Sequence, residues 1–384
     1  MNGRITGGAP ILSFDSASFF EHASMMSREQ ILTRLAQKRV ILHSTQPLDR
    51  FRTSPPFGHR EITKNLFHYT NPRFLPKLYR SEAANTLLDR LRAMHRLRKL
   101  RALAGGERPI LYIWHPDFAE EVGRYGESCV IYHIYDDYAS FSSDSRIVER
   151  EKQLLRTADI VFIANEELIE AKKRMWDREY IHLPHGVDYQ HFSVASQLTE
   201  DDLPNDIAKI PGPRIGYMGR LNNKVDFDLV FELASAHGDW SFVFVGPESR
   251  EDCGAAIERM EALPNVFTLG AKPYSEMPAY WSALNVGIVP YQSQSGQWAF
   301  FGSPLKLREA LATGVPVVMT PLADAKGFGD LVRVASDLDA WSASLSSALS
   351  EERGGEQSLN RQRYAMQNSW DARVEQIEAV IATF

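Results

Sequence analysis

Short apolar runs rich in β-branched residues recur along the chain, separated by longer stretches whose apolar positions fall three and four residues apart. The first rhythm is that of buried strands and the second that of amphipathic helices. Their alternation predicts an α/β protein built on parallel sheets. In the first half the expected strands are 10–16, 39–45, 109–115, 129–136, 159–164 and 180–185. Ser27-Arg28-Glu29-Gln30 reads as a capping box opening the helix before Arg39. Residues 146–158 and 165–176 have helical spacing and good helix formers. Residues 187–213 break the rhythm: they are polar, acidic at Glu200-Asp201-Asp202, and close on Pro211-Gly212-Pro213. A second alternation follows, with strands expected at 214–219, 241–246, 266–270, 286–291, 316–320 and 331–335.

Two similar halves joined by a linker predict two Rossmann-like domains facing across a cleft, with 1–189 as the first, 190–213 as the linker and 214 onward as the second. The length of 384 residues agrees with two domains. With 44% hydrophobic and 24% charged residues, the composition excludes long disorder, collagen and coiled coil. The net charge of −6 argues against a general nucleic-acid binder. Two cysteines, Cys129 and Cys253, exclude a disulfide framework and a cysteine zinc site, and both read as inert thiols. The start lacks the apolar core of a signal peptide and no stretch reaches eighteen apolar residues, so a cytoplasmic protein is expected, with at most peripheral membrane contact.

The charge is unevenly divided. Residues 1–190 carry 28 Lys/Arg against 24 Asp/Glu, and the remainder carries 15 against 25. Nine basic and three acidic residues fall in 77–108. There Leu87, Leu88, Leu91, Met94, Leu97, Leu100 and Leu103 recur at helical spacing, with Arg90, Arg92, Arg96, Arg98, Lys99 and Arg101 between them. Two readings stand: an amphipathic helix lying on an anionic membrane surface, or a packed helix with a solvated charged face.

Candidate chemistry concentrates in the second half, because ligands of such sheets bind beyond the carboxyl ends of the strands. Gly216-Tyr217-Met218-Gly219-Arg220 follows a strand; its glycines let backbone N–H groups approach phosphate, and Arg220 supplies charge. Residues 242–247, with Gly246 at the strand end, together with 265–270 and 274–283, look like strand ends that border a base-binding pocket. In 302–318, Ser303 is a candidate N-cap and Pro304 a first helical residue. That helix start offers N–H donors and a positive dipole end to a diphosphate, Lys306 adds a charge, and Glu309 is placed to accept from ribose hydroxyls. Gly314 ends the helix.

These segments, in this order and at these spacings, resemble the donor domain of GT-B glycosyltransferases, nearest the family 4-like bacterial polysaccharide and teichuronic-acid-type group. Pro184-His185-Gly186-Val187-Asp188-Tyr189-Gln190-His191-Phe192 resembles their segment before the linker, which makes His185 a candidate for donor phosphate or sugar. Ser369-Trp370-Asp371-Ala372-Arg373-Val374 resembles their last helix, which returns to the first domain. The resemblance implies a donor domain over 214–365, a returning helix over 366–384, and a donor site at Gly216, Gly219, Arg220, His185, Gly246, Tyr291, Ser303, Pro304, Lys306, Leu307 and Glu309. Retaining members carry two glutamates eight positions apart; the second falls on Glu309 and the first on Phe301. The Ser303-Pro304-Leu305-Lys306-Leu307 segment also resembles the inverting xanthan glucuronosyltransferase, so both anomeric outcomes stay open.

In the first half, the strand at 129–136 ends in Asp136 and Asp137. A carboxylate at a strand end suits a general base that takes a proton from an acceptor hydroxyl. The resemblance to the xanthan enzyme places that base on Asp136, with Asp137 raising its pKa by repulsion; the alternative is that both cap the next helix. His115-Pro116-Asp117, Arg28, and Asp15 with Ser16 are further strand-end or helix-start candidates, and Trp298, Phe300 and Phe301 are candidates for stacking on a sugar. No P-loop, HExxH or GxSxG motif occurs. The resemblance implies glycosyl transfer, expected to be metal-independent and without a cofactor, from a nucleotide-diphosphate sugar (UDP favoured) to a lipid-linked oligosaccharide or growing polysaccharide, at the inner face of the cell membrane. A sugar-nucleotide epimerase of similar shape, or a non-catalytic assembly protein that kept the fold, are the alternatives.

Overall fold

The computed structural model describes residues 7–16, 26–45, 58–70, 82–141, 144–292 and 303–384. The chain forms two compact units, Met1–Pro184 with Val374–Phe384, and His185–Arg373.

The first unit holds an eight-stranded sheet: β1 (Ile11–Asp15), β2 (Ile41–Thr45), β3 (Gly58–Thr63), β4 (Leu66–Thr70), β5 (Ile110–Ile113), β6 (Cys129–Ile134), β7 (Ile160–Ile163) and β8 (Ile181–His182), in the order β3-β4-β2-β1-β5-β6-β7-β8. All neighbours are parallel except the β3–β4 hairpin at one edge. Each strand predicted in this half is present. The hairpin was not predicted, because Gly58-His59-Arg60-Glu61 is a polar edge strand without apolar alternation. One sheet face carries Leu12, Phe14, Leu42, Leu111, Ile113, Tyr132 and Ile163 into the core. The other face is mixed: Ile11, Ile41, Ile110, Ile131 and Phe162 are buried there beside polar pairs, with Ser13 and His43 3.0 Å apart and Tyr112 and His133 2.9 Å apart, and the Trp114 ring stacks on both Tyr112 and His133.

Helix boundaries follow local chemistry. Asp144 and Asn165 cap the helices Ser145–Thr157 and Glu166–Met175 with their side chains, accepting from Arg146 N–H and Glu167 N–H. The capping box expected at Ser27 does not form: Met26 is the N-cap, Ser27 is the first helical residue, and the Gln30 side chain accepts from Arg34.

The helix Glu82–Ala104 occupies the basic segment, but its charges are distributed differently from the expected solvated face. Arg92 and Arg96 are buried, paired with Asp89 and Glu121, and Arg96 also donates to Tyr125. Leu88, Ala93 and Leu100 point inward, whereas Leu87, Leu91 and Met94 are 59%, 41% and 58% exposed. The outward stripe is thus mixed, with Leu87, Arg90, Leu91, Met94, Arg98 and Arg101 following one another at helical spacing. No helix among the described residues is long and apolar enough to cross a membrane.

The second unit holds a six-stranded, fully parallel sheet: β9 (Arg214–Met218), β10 (Ser241–Val245), β11 (Val266–Thr268), β12 (Val286–Val289), β13 (Val317–Met319) and β14 (Arg333–Val334), ordered β11-β10-β9-β12-β13-β14. The strand order reverses between β9 and β12, which creates the crevice where doubly wound sheets bind ligands. Residues 190–213, expected as a linker, lie within this unit: Phe192, Ile207 and Ile210 are buried in its core, so the polar composition hides an apolar inner face. The unit starts at His185, and the last helix rejoins the first unit from Val374, where Arg39 and Glu378 form a two-pronged ion pair.

Candidate donor site

Just past β9 and β10, two glycines take backbone conformations that other residues rarely adopt, Gly219 at φ +134° and Gly246 at φ +153°. The two turns are tied together, since Gly219 N–H donates to Val245 O at 2.8 Å and Gly246 N–H to Gly270 O at 2.9 Å. A Cβ on Gly246 would lie 2.1 Å from the Gly219 carbonyl, so close approach of the turns requires glycine there. Gly216 has a different task from the one expected. It lies inside β9, opposite Val243 and Gly287, and makes room for Leu284, whose Cδ1 would be 2.3 Å from an added Cβ. Arg220 is exposed.

The helix Leu305–Thr313 follows the crevice side of β12. Its N-cap is Pro304, not Ser303, because the Ser303 hydroxyl donates to Asp324 at 2.9 Å. Gly314 closes it in the left-handed conformation, φ +82°. Leu307 is fully buried in the core and Ala310 and Leu311 share that face, so Leu307 anchors the helix and does not present its side chain to a ligand. Lys306, on the other face, reaches the crevice. Its Nζ lies 3.7 Å from the centre of the Tyr217 ring and 5.0 Å from that of Tyr291, and a Cβ on Gly219 would lie 2.7 Å from it. Burial lowers the Lys306 pKa, with Tyr291 opposing. Burial pushes the Tyr291 phenol up, but Lys306 outweighs this and holds it below its usual range. Glu309, one turn on, accepts from Trp281 Nε1–H at 3.5 Å, and burial pushes its carboxyl up to about 7.

A second polar cluster sits behind the helix start. Arg308 donates to the His185 carbonyl at 2.9 Å and pairs with Asp324 at 3.1 Å. The His185 ring lies edge-on to Trp370, and burial together with Arg308 pushes its pKa down to about 3, so it stays neutral at ordinary pH. His185 and Ser303 are therefore joined through Arg308 and Asp324, neither of which the sequence singled out. Tyr217, Trp281, Arg308 and Asp324 carried no motif signal beyond lying beside residues that did.

In the first unit, Asp136 is exposed just beyond β6, while Asp137 accepts from buried Lys172 at 2.7 Å. Lys172 also pairs with buried Glu151 at 2.9 Å. The repulsion expected between Asp136 and Asp137 is thus offset on the Asp137 side, and Asp137 serves this buried network. Arg28 is buried between Asp15 and Glu29, so it is not a surface phosphate ligand; burial works against its charge, but both carboxylates keep it protonated. Tyr135 donates to Asp15 at 3.3 Å. His115 accepts from Asp117 N–H, acting as the cap of the short helix Pro116–Glu121. Burial pushes the Cys129 thiol up to about 12 and raises that of Cys253, in keeping with inert thiols. Trp298, Phe300 and Phe301 lie outside the described residues.

Two Rossmann-like units, the second doubly wound with a lysine and paired glycine turns at its switch point, define a GT-B fold. The chain superposes with a TM-score of 0.70 on sucrose-phosphate synthase from Thermosynechococcus elongatus, at 17% identity, over 98% of this chain and 99% of that one. It superposes with a TM-score of 0.68 on Alr3699/HepE of Anabaena, solved with UDP and glucose, at 15% identity over 98% and 100% of the two chains. Residues 212–351 match the family Glycosyl transferases group 1, so the second unit contains a domain of that family. Over 274 residues, 68% of its length, the chain is 30% identical to TuaH of Bacillus subtilis (strain 168), described as a putative teichuronic acid biosynthesis glycosyltransferase; the match spans 65% of that relative.

Proposed function

We propose that the protein is a glycosyltransferase that moves a sugar from a nucleotide-diphosphate donor to a lipid-linked oligosaccharide or growing polysaccharide. The observation that carries this reading is the placement of Lys306 and the Gly219 turn at the switch point of a glycosyl transferases group 1 domain. The diphosphate is assigned to the Gly219–Lys306 side of the Leu305–Thr313 helix start, where charge and free N–H groups stabilise the leaving group. UDP is the favoured nucleotide, by likeness to the UDP-bound neighbour. A polysaccharide-type acceptor follows from likeness to the teichuronic acid relative.

In the transfer, the acceptor hydroxyl oxygen bonds to the anomeric carbon, the bond from that carbon to the diphosphate oxygen breaks, and the hydroxyl proton goes to a carboxylate. Asp136 is the residue assigned to take that proton, as an exposed carboxylate just beyond the carboxyl end of β6. The positive charge is assigned to Lys306, Arg220 and the helix start, and activity should persist in EDTA. The outward stripe of the Glu82–Ala104 helix is assigned to the inner face of the cell membrane, where lipid-linked acceptors would be met.

The test is a panel of UDP-, GDP- and dTDP-sugars, with and without acceptor. Acceptor-dependent nucleotide release supports transfer; epimerised donor or no turnover overturns it. Lys306→Ala should weaken UDP binding by about 10- to 100-fold, as expected for a lost charge-assisted contact. Asp136→Ala should abolish transfer with UDP affinity unchanged, and full activity would reject that assignment.

A further inference from the structure

We infer that Tyr217 is the positioning residue of the donor site, its ring face holding the Lys306 ammonium while its hydroxyl fixes the turn that carries Gly219 and Arg220. This rests on the donor reading above and extends it from the groups that meet phosphate to the one that places them. Lysine on the first turn of a helix has four rotatable bonds and no intrinsic preference for one direction. Here Nζ stands 3.7 Å from the Tyr217 ring centre, well inside the range of cation–π attraction.

The same side chain acts at its other end. The Tyr217 hydroxyl donates to the Arg220 carbonyl at 2.9 Å, closing the turn just past Gly219. Tyr217 is buried, at the carboxyl end of β9, and its ring leans against Phe244 from β10 and Tyr291 beyond β12. One rigid ring, braced from both sides of the switch point, therefore sets the distance between the lysine on the helix and the glycine turn on the strand. Tyr291 takes one hydrogen bond from the ammonium, whereas the Tyr217 face attracts the cation without consuming an N–H donor as a carboxylate would, which leaves the others for an anion.

The experiment measures UDP binding by calorimetry in the full chain for Tyr217→Phe, Tyr217→Leu, Lys306→Ala and the Tyr217→Leu/Lys306→Ala pair. Tyr217→Phe keeps the ring and should raise Kd no more than about threefold. Tyr217→Leu should raise it at least tenfold, yet add no more than the roughly threefold hydroxyl effect of Tyr217→Phe in the Lys306→Ala background, because the ring acts through Lys306. Full additivity in the pair, or equal effects of Phe and Leu, would overturn the inference. If Tyr217→Leu does not fold, Tyr217→Met carries the same comparison with a flexible side chain of similar reach. Should Lys306→Ala leave UDP binding unchanged, the donor reading itself fails; a weakened Lys306→Ala beside a silent Tyr217→Leu sinks only the role of Tyr217.

Discussion

Glu309 shows how burial decides the chemistry of a single residue. Its carboxyl is neutralised more readily in the folded chain, near pH 7, than at its ordinary value of 4.5, because burial outweighs the help of Trp281 and Lys306. The folded state therefore binds the proton more tightly than the unfolded state. Stability is full below about pH 4.5, declines as pH rises toward 7, and is level above. Glu309→Gln, neutral throughout, should remove this slope and gain up to about 3 kcal/mol on the parent across that window. Urea unfolding at pH 4.5, 6 and 7.5 checks it, and an unchanged slope in the variant would contradict the assignment. The sequence made Glu309, Lys306 and Gly219 visible because a helix start after a strand and a strand-end glycine are local signals. Arg308 and Asp324 were invisible: Asp324 meets Ser303 across 21 residues of chain, and only folding brings them together. That same contact moved the cap from Ser303 to Pro304.

At the scale of elements, buried parallel strands were legible because both faces are apolar enough to leave continuous runs, as in Phe242-Val243-Phe244-Val245. The Glu82–Ala104 helix was legible in spacing but not in facing. Periodicity counts Leu87 and Leu100 alike and cannot see that Arg96 finds Glu121, Tyr125 and the faces of Phe14 and Tyr69 inside. The arginines that ought to be solvated are inside, and three large apolar side chains lie outside among Arg90, Arg98 and Arg101. Apolar groups interleaved with cations are the arrangement suited to an anionic bilayer surface, each cation adding about 1 kcal/mol. Flotation with vesicles of anionic phospholipid should recover the parent at low salt. Leu87→Ser/Leu91→Ser/Met94→Ser should lose about tenfold or more in binding while UDP affinity stays the same. Equal flotation of parent and triple variant would discard the surface.

For the whole molecule, the net charge of −6 averages a weakly basic first half against an acidic second half. The two units were legible from the repeated alternation. The exact seams were not, because Phe192, Ile207 and Ile210 bury themselves within a stretch whose composition is that of a linker. The first unit is discontinuous in sequence: Val374, Ile377 and Ile381 return to it, and Ile377 is fully buried. Ile377→Ala, 192 residues beyond His185 and far from every donor residue in sequence, should destabilise the first unit by about 2–5 kcal/mol through the cavity it leaves. Hydrogen exchange should show the loss in β1 and β2, and unaltered protection there would refute it.

The return of Val374–Phe384 also gives the protein a timetable. A ribosome that has finished Pro184 must still make the 189 residues of the second unit before the first receives its last helix. At 5–20 residues per second that is roughly 10–40 s. During that wait the earlier-made half carries an unfilled apolar seat while the later-made, contiguous half can complete its own core. Birth order and completion order are thereby inverted, and the nascent first half is the natural client for a chaperone.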